Sequence, residues 1–196
     1  IQMDGGSLTL TAEQSLNFSG AISGIGATPS RLTASVTDAT AAELNINATA
    51  TFAGFDADTS LISLGDGNDV INVASNTPFY IEAGLGDDTF NVLAEGLSIL
   101  NLNGNEGNDA LVGADGDNDW ELGAVNEGQL TSAGSVTGFF EIENLIGGTG
   151  SDSYSFTNPQ FDRMFFNGGA GVNSLSIFSN QALEWQLNAD GGQLNL

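Results

Sequence analysis

Five Gly-rich turns, each ending in Asp or Asn, hold the residues whose types and spacing suit chemistry. They read Leu64-Gly-Asp-Gly-Asn-Asp69, Ala83-Gly-Leu-Gly-Asp-Asp88, Gly104-Asn-Glu-Gly-Asn-Asp109, Gly147-Gly-Thr-Gly-Ser-Asp152 and Gly168-Gly-Ala-Gly-Val-Asn173. Their last residues step by 19, 21, 43 and 21. A carboxylate at such a turn has two uses. It can cap the turn, because Asp and Asn hydrogen-bond nearby backbone and tolerate the left-handed conformation. Or it can join others around a cation. The run Asp115-Gly-Asp117-Asn-Asp119 beside Asn108-Asp109 favours the cation, since packed like charges repel unless compensated.

Each turn leads into a short alternating segment, such as Val70-Ile-Asn-Val73, Thr89-Phe-Asn-Val92 and Ser153-Tyr-Ser-Phe156. Length, alternation and β-branching predict strands, and no segment carries a helical stripe with caps. The expected fold is therefore all-β. It is a right-handed parallel β-solenoid, β-helix- or β-roll-like, with turns of about 20 residues stacked around a Val/Ile/Leu/Phe core. The step of 43 counts as two turns, one without the motif. A longer spacing of 64 links Asp88 to Asp152 and Asp109 to Asn173, and one of 65 links Trp120 to Trp185. These coincidences predict a three-turn super-repeat. Residues 61–196 form the regular part. Residues 1–60 read as less regular turns of the same stack, or as a cap or sandwich subdomain. In the doublets Phe139-Phe140 and Phe165-Phe166, one ring should point in and the other out. Trp120 reads as a core aromatic, with an exposed sugar platform shared with Trp185 as the alternative.

Composition narrows the partners. The chain carries 25 Asp and Glu against two basic residues, Arg31 and Arg163, for a net charge of −23. Such a field repels nucleic acid and anionic membrane and attracts cations. Cysteine is absent, so no disulfide framework or thiolate metal site exists. No apolar run approaches the roughly eighteen residues of a membrane span, which argues against membrane insertion. Ile1 in first place, without an initiator Met or signal peptide, suggests a chain processed or excised from something longer.

Gly147 to Ser155 matches the nonapeptide Gly-Gly-x-Gly-x-Asp-x-apolar-x in full, and here the chain resembles the RTX-type calcium-binding repeats of secreted bacterial proteins. The resemblance implies Ca²⁺, which accepts six to eight oxygen ligands at flexible geometry. By residue it points to Asp69, Asp88, Asp109 and Asp152, with Asp66, Asp87, Glu106, Asp115, Asp117 and Asp119 in addition. The match is partial, because true RTX rolls run the nonapeptides back to back. Asn173 also replaces an Asp, and Leu64 and Ala83 replace first glycines. A second resemblance spans roughly residues 61–196: Trp120-Glu-Leu, Asn126-Glu-Gly-Gln-Leu130 and Val136-Thr-Gly-Phe-Phe-Glu-Ile-Glu143-Asn-Leu-Ile-Gly-Gly148-Thr-Gly-Ser-Asp152 are similar to repeats of very large bacterial surface and adhesin-like proteins. That resemblance implies export to a cell surface or extracellular matrix.

An enzyme is not expected. A polysaccharide lyase needs cationic groups beside its base, and this chain has two Arg, no Lys and no His. Paired carboxylates would suffice for a hydrolase, but an active site breaks a repeat and these acids follow it. The expected function is a non-enzymatic structural module of a large secreted or surface protein, calcium-stabilised and assembling end to end. A carbohydrate-binding or polysaccharide-degrading β-helix is the alternative. Self-association is suggested by the ends, where Asp4-Gly-Gly-x-Leu-x-Leu and Asp190-Gly-Gly-x-Leu-x-Leu repeat one motif with no evident cap.

Overall fold

The computed structural model describes residues 2–4, 7–25, 31–36, 41–53, 55–56, 58, 60–157, 164–178, 186–187 and 194–195. Arg163, Trp185 and Asp190 lie outside these residues, as does most of the closing motif.

Among the described residues the chain is all-β, without a helix, and its sheets are mostly parallel. In chain order the first strands are β1 (Gln2–Asp4), β2 (Ser7–Ala12), β3 (Ser15–Phe18), β4 (Ala21–Ile25), β5 (Arg31–Val36), β6 (Glu43–Ile46) and β7 (Thr51–Ala53). The middle holds β8 (Leu61–Asp66), β9 (Val70–Val73), β10 (Thr77–Leu85), β11 (Thr89–Val92), β12 (Ile99–Glu106) and β13 (Ala110–Val112). Then follow β14 (Asn118–Ala124), β15 (Glu127–Ser132), β16 (Ser135–Phe140), β17 (Asn144–Ile146), β18 (Ser153–Phe156), β19 (Phe165–Asn167) and β20 (Ser174–Ile177). Last come β21 (Gln186–Leu187) and β22 (Leu194–Asn195).

From β8 to β13 the chain alternates between two sheets. One has ten strands in the order β2-β5-β8-β10-β12-β16-β15-β14-β18-β20; the other has nine, ordered β21-β22-β19-β17-β13-β11-β9-β6-β3. Alternation of apolar and polar residues along each strand turns one face inward and stacks like on like. In the nine-stranded sheet Leu16, Leu44, Ile71, Phe90, Leu111, Leu145 and Phe166 occupy one row. In the ten-stranded sheet Ala34, Ile62, Ile81, Leu102 and Phe139 do the same. These rows belong to one core cluster. β2, β3, β5 and β6 join the same registers and so continue the sheets of the regular part.

Successive residues of the Leu16 row are 28, 27, 19, 21, 34 and 21 positions apart. The expected length of about 20 thus holds in the middle of the chain. The first two intervals are longer because β1, β4 and β7 add a third sheet of three strands. That sheet stops at β7, and a groove of about 720 Å³ lined by Phe52, Ala74, Pro78 and Leu97 opens beside it.

The interval of 34 has a different cause. Between β13 and β17 the chain makes an antiparallel meander, β14 with β15 and β15 with β16, inside the otherwise parallel ten-stranded sheet. This overturns the predicted three-turn super-repeat. Asp88 precedes β11 in the nine-stranded sheet, whereas Asp152 precedes β18 in the ten-stranded one. The spacing of 64 therefore joins opposite corners of the structure and is no stacking period.

The aromatic expectations hold. Phe139 and Phe166 are buried while Phe140 and Phe165 are half-buried. Trp120 lies in the core and stacks on Tyr154, centroids 5.7 Å apart and planes 6° from parallel.

Candidate functional site: the Asp and Asn ladders at the corners

The Gly-rich turns serve two corners. At the first, the chain leaves the ten-stranded sheet and enters the nine-stranded one just after Asp69, Asp88, Asp109 and Glu143. At the second it returns, just after Asn118, Asp152 and Asn173.

At both corners each side chain clamps the turn before it. Oδ1 of Asp69 accepts the backbone N–H of Ala42 at 2.7 Å, Oδ1 of Asp88 that of Asp69 at 2.7 Å, and Oδ1 of Asp109 that of Asp88 at 2.8 Å. Oε2 of Glu143 continues the file by accepting the N–H of Asp109 at 2.8 Å. At the second corner Oδ1 of Asp152 takes the N–H of Asn118 at 3.0 Å, and Oδ1 of Asn173 that of Asp152 at 2.8 Å. The backbone answers in the opposite sense, since Thr89 N–H donates to the Asp69 carbonyl and Ala110 N–H to that of Asp88. Each such hydrogen bond contributes about 0.5–1.5 kcal/mol with a neutral acceptor and about 1.5–3 kcal/mol with an ionised one. Without them an N–H at every corner would be buried and unpaired.

The residues before Asp69, Asp88, Asp109, Asn118 and Asp152 form second, exposed files. Asn68 Oδ1 accepts Asp87 N–H at 2.9 Å, and Asp87 Oδ1 accepts Asn108 N–H at 3.0 Å. At the other corner Asp117 Oδ1 accepts Ser151 N–H at 2.7 Å.

The inner carboxyls are the unusual ones. Asp69, Asp88, Asp109 and Asp152 are at most 1 % exposed, and Oδ2 of each is buried without a partner. Burial raises all four above the ordinary Asp value: Asp88 to about 7 and Asp109 to about 6. Neighbouring carboxylates push the same way, Asp109, Asp69 and Asp87 on Asp88, and Glu143, Asp87 and Glu141 on Asp109.

The Asn members show what the second atom wants. Asn118 Nδ2 donates to the carbonyls of Ala114 and Gly116, both at 2.9 Å, and Asn173 Nδ2 to that of Ala170 at 3.0 Å. A donor belongs there. At Asp109 the orphan Oδ2 and the Glu141 carbonyl oxygen both face the spot a Gly104 Cβ would fill, and at Asp152 Oδ2 and the Gly168 carbonyl do so at Gly147. A proton on Oδ2 would supply the missing donor. The arrangement suits protonated carboxyls acting as Asn does.

The fit to calcium is poor. Each inner Asp uses one oxygen on an N–H and buries the other. Asp66, Asp87, Glu106, Asp115, Asp117 and Asp119 are all exposed. Asp66 and Glu106 line the rim of one groove with Glu141, Asp115 sits in a turn, and Asp119 lies on the outer face of β14. Among the described residues no three carboxylates converge on a point that could hold a metal ion. Sequence reasoning singled out neither Glu143 nor Asn118 for the files. Their signal is position alone: Glu143 stands one turn after Asp109 and Asn118 one turn before Asp152, each beside a strand.

No protein-family model matches the chain, and neither a curated protein nor a solved structure is similar to it.

Proposed function

We propose that this chain is a structural segment of a β-solenoid rod, with no catalytic role. The observation that carries the reading is the reciprocal clamping at the corners, where the side chain of one turn caps the backbone of the turn before it. Such interactions act between neighbours along one axis, as in repeat proteins whose stability sums over adjacent units. The inner acids are taken up by this task, each with one oxygen on a backbone N–H.

An extracellular or surface setting fits the charge of −23 and the likeness of roughly residues 61–196 to surface repeats. β2 and β3 each have one strand neighbour, and β20 carries the exposed Val172 and Phe178 at its ends, 84 % and 67 % accessible. Among the described residues the end at β2 and β3 is thus open to further turns, from the same polypeptide or from a second copy, whereas at the other end β19 is already paired by antiparallel β22 and only β20 is open.

The test is removal of one turn. Deleting residues 70–88 joins Asp69 to Thr89, sets β11 beside β6 and β12 beside β8, and leaves each in its present register. A rod loses one unit and still melts cooperatively with a parallel-sheet spectrum. An unfolded or insoluble product would sink the reading. Sizing of the intact chain over a range of concentrations separates a single unit from end-to-end assembly.

A further inference from the structure

The β14–β15–β16 meander breaks the stack, and its outer face is unlike the rest. Across the ten-stranded sheet the register runs Asn101 opposite Gly138, Gly138 opposite Gln129, and Gln129 opposite Glu121. Gly138 has no side chain, so the row dips between two amides. Phe140 and Glu127 stand in the adjacent row. Together these residues line a shallow groove of about 300 Å³.

The polar ends here are not used by the fold. No hydrogen bond ties the side chains of Asn101, Glu121, Glu127 or Gln129 to another described residue. Elsewhere the outward amides are spent on each other, as in Asn17, Asn45, Asn72 and Asn91, which are joined in a file by bonds of 2.9 Å. The groove therefore offers one half-buried ring, two amides that both donate and accept, and two carboxylates that accept. Its ligand should have an apolar face for the ring and a rim of hydroxyl donors. That is the description of a pyranose. The charge of −23 disfavours uronate or sulfate groups, and a cationic sugar would be drawn to the whole surface instead of to this groove.

We propose that the outer face of the meander is a subsite for a hexosyl unit of an uncharged polysaccharide. Phe140 stacks on the C–H face of the sugar, and Asn101, Gln129, Glu121 and Glu127 take its hydroxyls. The proposal is independent of the rod reading, since the groove needs only the three strands and β12.

The test is affinity electrophoresis of the full chain, in chelator, through native gels containing a soluble neutral β-glucan, mannan or galactan. At least one should retard the protein. Phe140→Ala and Gln129→Ala should each weaken the retardation about tenfold, the loss of one good contact, with melting points near the parent's. Thr9→Ala, far along the same outer face, should leave it unchanged. Absence of retardation in all three gels, or equal retardation of the parent and both groove variants, would overturn the proposal.

Discussion

Asp69 donates its backbone N–H to Oδ1 of Asp88 at 2.7 Å, and Oδ2 of the same Asp88 carboxyl is buried without a partner. One oxygen is needed and the other is a burden when charged. Burial, helped by Asp109, Asp69 and Asp87, raises this group from 3.8 to about 7.

That shift sets a pH dependence opposite to the usual acid denaturation. The folded state holds the proton more tightly than the unfolded chain does, so stability is greatest below the ordinary carboxylate value and is lost as pH rises through about 7. Asp109 acts alike around 6, and Asp69 and Asp152 in the same direction. The melting temperature should therefore be higher at pH 5 than at pH 8. Asp88→Asn keeps the acceptor and needs no proton, so it should flatten that slope and match or exceed the parent at pH 8. Asp88→Ala strands the Asp69 N–H and should lose about 1–3 kcal/mol at both pH values. A parent more stable at pH 8 than at pH 5 would contradict the protonated ladder.

Much of this was legible beforehand. Gly-rich turns ending in Asx marked the corners, and steps of 19 and 21 between Asp69, Asp88 and Asp109 are true stacking intervals. The meander was not legible. Its second hairpin turns at Ala133-Gly134, with φ of 47° and 81°. Both positive values suit a tight hairpin, but Ala pays a steric penalty there and is no turn signal. Missing that turn concealed a change of corner, because one Gly-Asx device works at both. The role of the acids was not legible for a related reason. A carboxylate capping an N–H and one bound to a cation leave the same trace in sequence.

Gly84 and Gly123 should respond in opposite ways to the same substitution. Gly84 has φ of +124°, and a Cβ there would run into the Gly65 carbonyl of the preceding turn. Gly84→Ala thus combines a disfavoured backbone with a backbone clash that no rotamer relieves, and should cost more than about 2 kcal/mol. Gly123 lies on the outer face of β14 with open space around its Cβ position. Gly123→Ala should change stability by less than about 0.5 kcal/mol, as exposed sites do. Denaturant melts of the two variants check the pair.

Asn72 is the centre of the outward-facing, half-buried amide file. Its Nδ2 donates to Asn45 Oδ1 at 2.9 Å, its Oδ1 accepts from Asn91 Nδ2 at 2.9 Å, and Glu43 Oε1 stands 3.5 Å away. Asn72→Asp removes the donor and places a carboxylate against the Asn45 oxygen and Glu43. The variant should lose about 1–2 kcal/mol at pH 7 and recover part of it near pH 4, where the new acid gains a proton. Equal losses at both pH values would mean that charge plays no part.

Calcium gives the sharpest separation between the two uses of a corner carboxylate. A cation that binds only the folded chain, present at a hundredfold excess over its Kd, adds about 2.7 kcal/mol. At roughly 2–4 °C per kcal/mol for a domain near this size, the melting point would rise by about 5–10 °C. The inner acids instead spend Oδ1 on backbone N–H groups, and no three carboxylates converge among the described residues. Melting in excess Ca²⁺, in excess Mg²⁺ and in chelator should therefore agree within about 2 °C, apart from a rise common to both cations as they screen the charge of −23. A rise specific to Ca²⁺, and lost in Asp109→Asn or Asp152→Asn, would show that the corners hold metal and that protons are only its substitute.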